Sequence, residues 1–243
     1  MIDLYQFSPV FDIPNLSPFC MKLEAFLRVS NIPFQVIEED NPSTGPKGKL
    51  PFIRDNGLLI GDSELIIDYL ESKLEFQMDG HLGSQQAAAH HACIRMLEDH
   101  LYWALMYSRW IDDRNWHTFR HELFYDIPPP ISTVIAGRTR KRIEQQLHAH
   151  GMGRHNRDEI YEKGYKDIRA LSTLLGNHSW FGGDYVSKLD LIATGILCNI
   201  LIPELPSPLA DCIKSTNNLE AYAVHARRVL FPNPVKKPKR PQY

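Results

Sequence analysis

A change of pattern near residue 80 divides the sequence into two unlike parts. Before it, strand-like runs alternate with segments of helical spacing, whereas after it only helical spacing remains, broken near residues 128–130, 151–153 and 203–208. We therefore expect an α/β plus all-α chain. It should hold one α/β domain over residues 1–76, a helical bundle domain over residues 84–230 and a disordered tail over residues 231–243.

The first part predicts the order β-α-β-β-β-α. Its strand signals are short alternating or apolar runs, at residues 2–7, 34–37, 50–54 and 58–60. Asn56-Gly57 between the last two runs is a strong signal for a tight hairpin turn, so these two strands should be antiparallel. A helix should start at Ser17, and Asp62 or Ser63 should cap a second helix.

Composition indicates a soluble globular protein without a nucleic-acid or membrane partner. The net charge of −2 gives no general attraction to nucleic acid or anionic lipid. The most apolar run, residues 191–202, is too short to cross a bilayer and contains Asn199. The chain starts without the pattern of a signal peptide, and its four cysteines lie far apart, so we expect a cytoplasmic protein.

The helix that starts at Ser17 brings a hydroxyl and a thiol to one turn. Ser17 has the pattern of an N-cap, Pro18 suits the first helical position, and Cys20 follows in the first turn. The free N–H groups and the dipole of a helix N-terminus favour negative charge, so a thiolate held there would be stabilised. The alternative is an ordinary capped helix with a buried Cys20.

Two features stand out in the helical part. The capping box from Ser187 to Asp190 should open a buried core helix. Four aromatic side chains recur at helical spacing and either line an apolar substrate pocket or belong to the core: Tyr102, Trp103, Tyr107 and Trp110.

The eleven histidines show no spacing typical of a metal site, so we expect no metal.

Taken together, these motifs resemble the glutathione transferase superfamily. The resemblance rests on the element order, the Ser-Pro-x-Cys helix start, Gly48-Lys49-Leu50-Pro51 before a strand, Asp62-Ser63 before a helix, and the capping box in the second domain. Residues 16–24 and 47–53 are most similar to the metaxin and Failed-axon-connections branch. This resemblance implies a thioredoxin-like first domain with glutathione as cosubstrate.

The resemblance also implies roles for particular residues. The Ser17 position contacts the glutathione sulfur, which makes Ser17 the catalytic candidate. The remaining positions match those that bind the tripeptide: Lys49, Leu50 through its backbone, Pro51 as a cis-proline, and Asp62 with Ser63 at the γ-glutamyl end. Because the link from the first strand to the first helix is long, Tyr5, Ser8 and Cys20 remain rivals for the sulfur contact.

Two functions remain open at this stage. The first is a glutathione transferase that adds the sulfur of glutathione to a small electrophile. The second is a non-catalytic metaxin-like interaction protein that retains the fold. Relatives in the superfamily commonly form two-fold dimers, which makes a homodimer the expected assembly.

Overall fold

The computed structural model describes residues 1–233, and its first part is built on one mixed sheet. The four strands are β1 (Ile2–Gln6), β2 (Phe34–Glu38), β3 (Phe52–Asp55) and β4 (Leu58–Gly61), in the spatial order β2-β1-β3-β4. β1 pairs parallel with β2 and antiparallel with β3, and β3 and β4 form the expected hairpin. Asn56 and Gly57 both have positive φ, as that tight turn requires.

Two helices, α1 (Pro18–Val29) and α2 (Ser63–Leu74), complete this first part. α1 connects the parallel pair β1 and β2, and α2 follows the hairpin. The order is therefore β-α-β-β-β-α. The expected N-cap of α1 is confirmed at Ser17, and of the two candidates for the cap of α2 the structure selects Asp62.

The rest of the described chain, from α3 onward, consists of helices joined by loops and short turns. Its α-helices are α3 (Ser84–Met96), α4 (Tyr102–Trp110), α5 (Asp113–Leu123), α6 (Ile131–His150), α7 (Arg157–Leu175), α8 (Lys188–Ile200), α9 (Pro208–Ser215) and α10 (Leu219–Leu230). A π-helical turn, Leu97–Leu101, makes α3 and α4 one continuous run. The proline and glycine clusters noted in the sequence coincide with breaks between these helices.

The capping box of α8 forms as expected and lies inside the protein. Asp190 accepts hydrogen bonds from the backbone N–H of Ser187 at 2.8 Å, from its hydroxyl at 2.7 Å and from the Tyr222 hydroxyl at 2.8 Å. Burial raises the pKa of Asp190, while the hydrogen bonds to its carboxylate act against that rise. α8 is thereby fixed in the centre of the helical part, and every residue from Leu189 to Ile200 is buried.

The two parts meet where the N-terminus of α1 crosses α8. Gly195 of α8 allows this approach, because a Cβ atom there would lie 2.7 Å from the carbonyl oxygen of Pro18. Nearby, the buried Lys22 of α1 reaches across to Glu98 in the π-helical turn, with 2.7 Å between Nζ and Oε1. The start of α1 is therefore enclosed by both parts of the chain.

This architecture confirms the expected fold class, a thioredoxin-like α/β unit followed by an all-helical unit. The limits at residues 76 and 84 stay predictions. Of the expected disordered tail, residues 234–243 lie outside the described residues. In the part of the chain that the structure describes, every helix is too short or too polar to cross a membrane.

Candidate functional site

Ser17 is the N-cap of α1 and lies where the first part of the chain meets the helical part. It is half-buried, has extended backbone angles, and its hydroxyl oxygen accepts the N–H of Cys20 at 3.3 Å. Its own N–H donates to the side-chain oxygen of Asn15 at 2.9 Å, and Asn15 in turn donates to the Phe7 carbonyl at 2.7 Å. This chain of hydrogen bonds fixes the turn by which the backbone enters α1.

Two side chains of the helical part hold the same turn from the other side. Arg109 of α4 donates through Nη1 to the Leu16 carbonyl at 2.9 Å, and through Nη2 to the Asn199 carbonyl at 2.8 Å. The side-chain amide of Asn199 donates to the Asn15 carbonyl at 3.1 Å. Arg109 is 4% exposed and Asn199 2% exposed, so these contacts are shielded from water.

Cys20 is fully buried beneath Ser17. Burial raises its pKa to about 12, although the Ser17 hydroxyl and the Phe7 N–H partly oppose the rise. A thiol with such a pKa is almost entirely protonated at neutral pH, which makes it a poor nucleophile. The geometry therefore favours the interpretation of Cys20 as a packing residue.

Leu50, which precedes Pro51, lies against Cys20. The Leu50–Pro51 peptide bond is cis, as the resemblance implies. The side chains of Leu50 and Phe52 form a small buried cluster with Cys20. Within residues 1–233 the structure records no hydrogen bond to the backbone N–H or carbonyl of Leu50.

The start of α2 follows directly from the same strand pair. Phe52 is opposite Gly61 in the β3–β4 ladder, so Asp62 and Ser63 follow directly after the end of β4. Asp62 has φ 84° and ψ 122°, a backbone conformation that is costly for any residue but glycine. The Asp62 carboxylate caps α2 through the N–H groups of Glu64 at 3.0 Å and Leu65 at 3.2 Å.

The exposure of the predicted binding residues differs. Ser63 is buried at the first position of α2, whereas Asp62 is exposed. Lys49 is exposed in the loop before β3, and the structure records no ion pair for it among the described residues. The N-terminus of a helix favours negative charge, and Ser63 stands at that position in α2.

The two rival hydroxyls, those of Tyr5 and Ser8, lie in different surroundings. The ring of Tyr5 stacks on Phe52, with 4.3 Å between ring centroids. The Ser8 hydroxyl donates to the carboxylates of Glu38 at 3.2 Å and Asp40 at 3.3 Å, near the end of β2. Ser8 is thereby bound near the end of β2, whereas Tyr5 packs against the cluster of Cys20, Leu50 and Phe52. The choice between Ser17 and Tyr5 for the sulfur contact stays a prediction.

The four aromatics of α4 occupy different surroundings. Tyr102 packs edge-on against Phe19 of α1, with 5.0 Å between centroids, and so lies nearest Ser17. Trp103 stacks on His150, and Tyr107 lines a separate cavity of about 420 Å³ between α4 and α6. Trp110 is buried against Trp116 and Phe119. The four side chains therefore have different neighbours, and a substrate pocket lined by them stays a prediction.

Histidines close in sequence do not assemble a metal centre here. Across residues 1–233, no three His, Cys, Asp or Glu side chains come together in a way that could hold a metal ion.

Sequence reasoning missed Arg109 and Asn199 as parts of the site. A signal was present for each, because Asn199 interrupts the apolar run of α8 and Arg109 lies within the aromatic stripe of α4. A polar residue in an otherwise apolar segment must find partners when it is buried. The sequence gives no indication of which partners those are.

Comparison with known protein families identifies both parts of the chain. Residues 18–115 match the model of the glutathione S-transferase N-terminal domain, and residues 164–225 match that of the glutathione S-transferase C-terminal domain. Similarity to solved structures supports the same fold. A glutathione S-transferase from Methylobacterium radiotolerans, solved in complex with glutathione sulfonate, superimposes with a TM-score of 0.63 at 16% identity, covering 100% of this chain and 98% of that one.

Two further proteins are similar to this chain in sequence. Failed axon connections from Drosophila melanogaster is 33% identical over 96% of this chain, although the chain spans only 59% of that protein's length. Isoprene-epoxide–glutathione S-transferase from Rhodococcus is 34% identical over 78% of this chain and 82% of its own length.

Mouse metaxin-1 is more distant, at 27% identity over 95% of this chain and 75% of its own length. On this evidence, the chain belongs to the glutathione S-transferase family.

Proposed function

We propose that this protein binds glutathione at the junction between its two parts and transfers its sulfur to a small electrophile. One observation carries the proposal: the buried cluster of Cys20, Leu50 and Phe52 joins the start of α1 to the cis-proline segment. Through the β3–β4 ladder, the same segment leads to the start of α2. Three groups suited to one tripeptide therefore lie near one another at the same end of the sheet, where β1 and β4 end and β3 begins.

Each group suits a different portion of glutathione. The unpaired backbone of Leu50 can form strand-like hydrogen bonds with the cysteinyl portion. The Ser63 hydroxyl and the N-terminus of α2 suit the γ-glutamyl carboxylate, while the exposed Asp62 carboxylate suits its ammonium group. Lys49, exposed in the loop before β3, is available to the remaining carboxylate.

Ser17 then has a chemical task. A hydroxyl that donates to the glutathione sulfur stabilises the thiolate, and the N-terminus of α1 adds its dipole to the same effect. The thiolate forms a bond to a carbon of the electrophile. If the electrophile is an epoxide, the C–O bond breaks and its oxygen takes up a proton from water. The name of the Rhodococcus relative suggests an epoxide as the first probe.

Calorimetry with reduced glutathione tests binding directly. We expect wild type to bind, and Ser63→Ala to weaken binding by about 1–3 kcal/mol because the γ-glutamyl carboxylate loses a donor. Ser84→Ala is the matched control, since Ser84 is also the first residue of a helix but is exposed on α3. An equal loss of affinity in both variants would contradict the assigned contact.

Similarity to Failed axon connections and metaxin-1 over nearly the whole chain favours one alternative, a non-catalytic interaction protein that retains the fold. The same calorimetry separates the two. Absence of glutathione binding by wild type at millimolar concentration would support the alternative and reject the transferase.

We also propose that the protein acts in the cytoplasm as a homodimer. Sedimentation equilibrium tests the dimer, and a monomer at micromolar concentration would contradict it. Fractionation of cells that express the native chain tests its location.

A further inference from the structure

Arg109 is a buried cation for which the structure records no ion pair within residues 1–233. Its hydrogen bonds go to neutral oxygen atoms: the carbonyl of Leu16, and the carbonyl and side-chain oxygen of Asn199. Its Nε has no hydrogen-bond partner among the described residues. Burial lowers the pKa of Arg109 to about 9, so it still carries its charge at neutral pH.

Burying a charge without a carboxylate is costly, and a neutral side chain would fill the same space more cheaply. Two observations place this charge near the proposed sulfur site. Arg109 bonds the carbonyl of Leu16, the residue that precedes Ser17. It also acts electrostatically on Tyr102, whose ring packs against Phe19 in the first turn of α1 with 5.0 Å between the ring centroids.

We propose that Arg109 is a positioning residue for the transfer reaction, which fixes the turn that presents Ser17 and whose uncompensated charge favours the thiolate of bound glutathione. This inference rests on the proposed function. The planar guanidinium suits the positioning role, because its two terminal nitrogen atoms bind the carbonyls of Leu16 and Asn199 at the same time. The positive charge suits stabilisation of the thiolate, because a nearby cation stabilises an anion more strongly where water is excluded.

The other ionisable groups around this point do not cancel the charge. Burial raises the pKa of Tyr102 and the pKa of Cys20 to about 12, so both are neutral at neutral pH. Glu24, which acts on Cys20 from the same helix, is bound to Arg28 with 2.6 Å between Oε1 and Nη2. From the first part of the chain, Lys49 and Asp62 are exposed to water, which screens their charges.

The test is the pH at which bound glutathione loses its thiol proton, followed by the ultraviolet absorbance of the thiolate. In Arg109→Gln we expect this midpoint to rise by about one pH unit. Turnover of an epoxide at pH 7 should fall about tenfold, because less of the bound glutathione is ionised. Arg109→Lys keeps the positive charge but has a single ammonium in place of the planar guanidinium. It should therefore retain the midpoint while turnover falls.

Lys22→Met is the matched control. Lys22 is also a buried cation that joins α1 to the helical part, through Glu98. Its removal should lower thermal stability without moving the midpoint. A shift in Lys22→Met equal to that in Arg109→Gln would overturn the inference, because any loosening of the junction would then have the same effect.

Coupling to Ser17 gives a second readout. If Arg109 acts by presenting the Ser17 hydroxyl, Arg109→Lys should lower turnover much less in a Ser17→Ala background than in wild type. Equal effects in both backgrounds would overturn the positioning role. If Arg109→Gln does not fold, Arg109→Met supplies the uncharged variant for the midpoint, and this cycle tests the positioning role independently.

Failure of this inference and failure of the proposed function give different results. If wild type binds glutathione and the midpoint is the same in Arg109→Gln, only this inference is wrong. If wild type binds no glutathione, the proposed function fails and the inference falls with it.

Discussion

Two helices of this protein begin with the same Ser-Pro pair but differ in what surrounds it. Ser17-Pro18 starts α1 and Ser207-Pro208 starts α9, and both serines cap the helix by accepting an N–H three residues later, at 3.3 Å and 3.2 Å. Ser207 is buried at 6% exposure, whereas Ser17 is half-buried. The comparison teaches that a cap becomes a candidate site only when other parts of the chain leave it open and orient it.

The two helices also carry a cysteine each, and these should differ most in reactivity. Cys20 is fully buried with its pKa raised to about 12, whereas Cys212 of α9 is half-buried with a pKa raised less. At pH 8 we expect iodoacetamide to modify Cys20 far more slowly than Cys212, because Cys20 is fully buried and less of it is the reactive thiolate. Mass spectrometry of digested protein measures both rates. Equal rates would show that Cys20 is open to solvent.

Removal of the two cap hydroxyls should separate the site from the ordinary cap. Ser17→Ala should lower kcat for an epoxide about hundredfold, since the thiolate loses its donor, while glutathione affinity stays nearly intact. Ser207→Ala should leave kcat unchanged. Steady-state kinetics with glutathione and the epoxide measures both. Undiminished turnover in Ser17→Ala would reject Ser17 as the catalytic residue.

Each of the two helix starts is approached by a glycine, and these glycines should differ in how they tolerate a methyl group. At Gly195 a Cβ would lie 2.7 Å from the Pro18 carbonyl oxygen, which is backbone, whereas at Gly164 it would lie 2.6 Å from a Leu209 methyl carbon. Gly195→Ala should therefore cost about 2 kcal/mol in the free energy of unfolding. Gly164→Ala should cost less, since a side chain can move. Urea unfolding compares them, and equal costs would contradict the close backbone contact.

The smallest expected difference lies in the caps themselves. Ser17→Ala and Ser207→Ala should each lower the free energy of unfolding by about 1 kcal/mol, because each removes one cap hydrogen bond. Urea unfolding of the two variants measures this. A much larger loss for Ser17→Ala would mean that its hydroxyl has a structural role beyond the cap.

Most of the fold was predictable because its signals are local. The hairpin at Asn56-Gly57 depends on two residues that tolerate positive φ, and the capping box at Ser187 and Asp190 on groups three residues apart. The π-helical turn at Leu97–Leu101 was not foreseen, since nothing in its sequence distinguishes it from the helices on either side. The spacing of the aromatic residues in α4 correctly predicted a helix. Spacing alone does not reveal which other side chains each of them contacts.

What the sequence determined by itself is the set of elements, their caps and the two-part architecture, because these follow from interactions within a few residues. Only the tertiary structure decided how Ser17 is held. Asn199 reaches the Asn15 carbonyl across 184 residues of sequence, and Arg109 reaches the Leu16 carbonyl across 93. Such contacts satisfy buried polar groups, and burial is known only after the two parts have packed together.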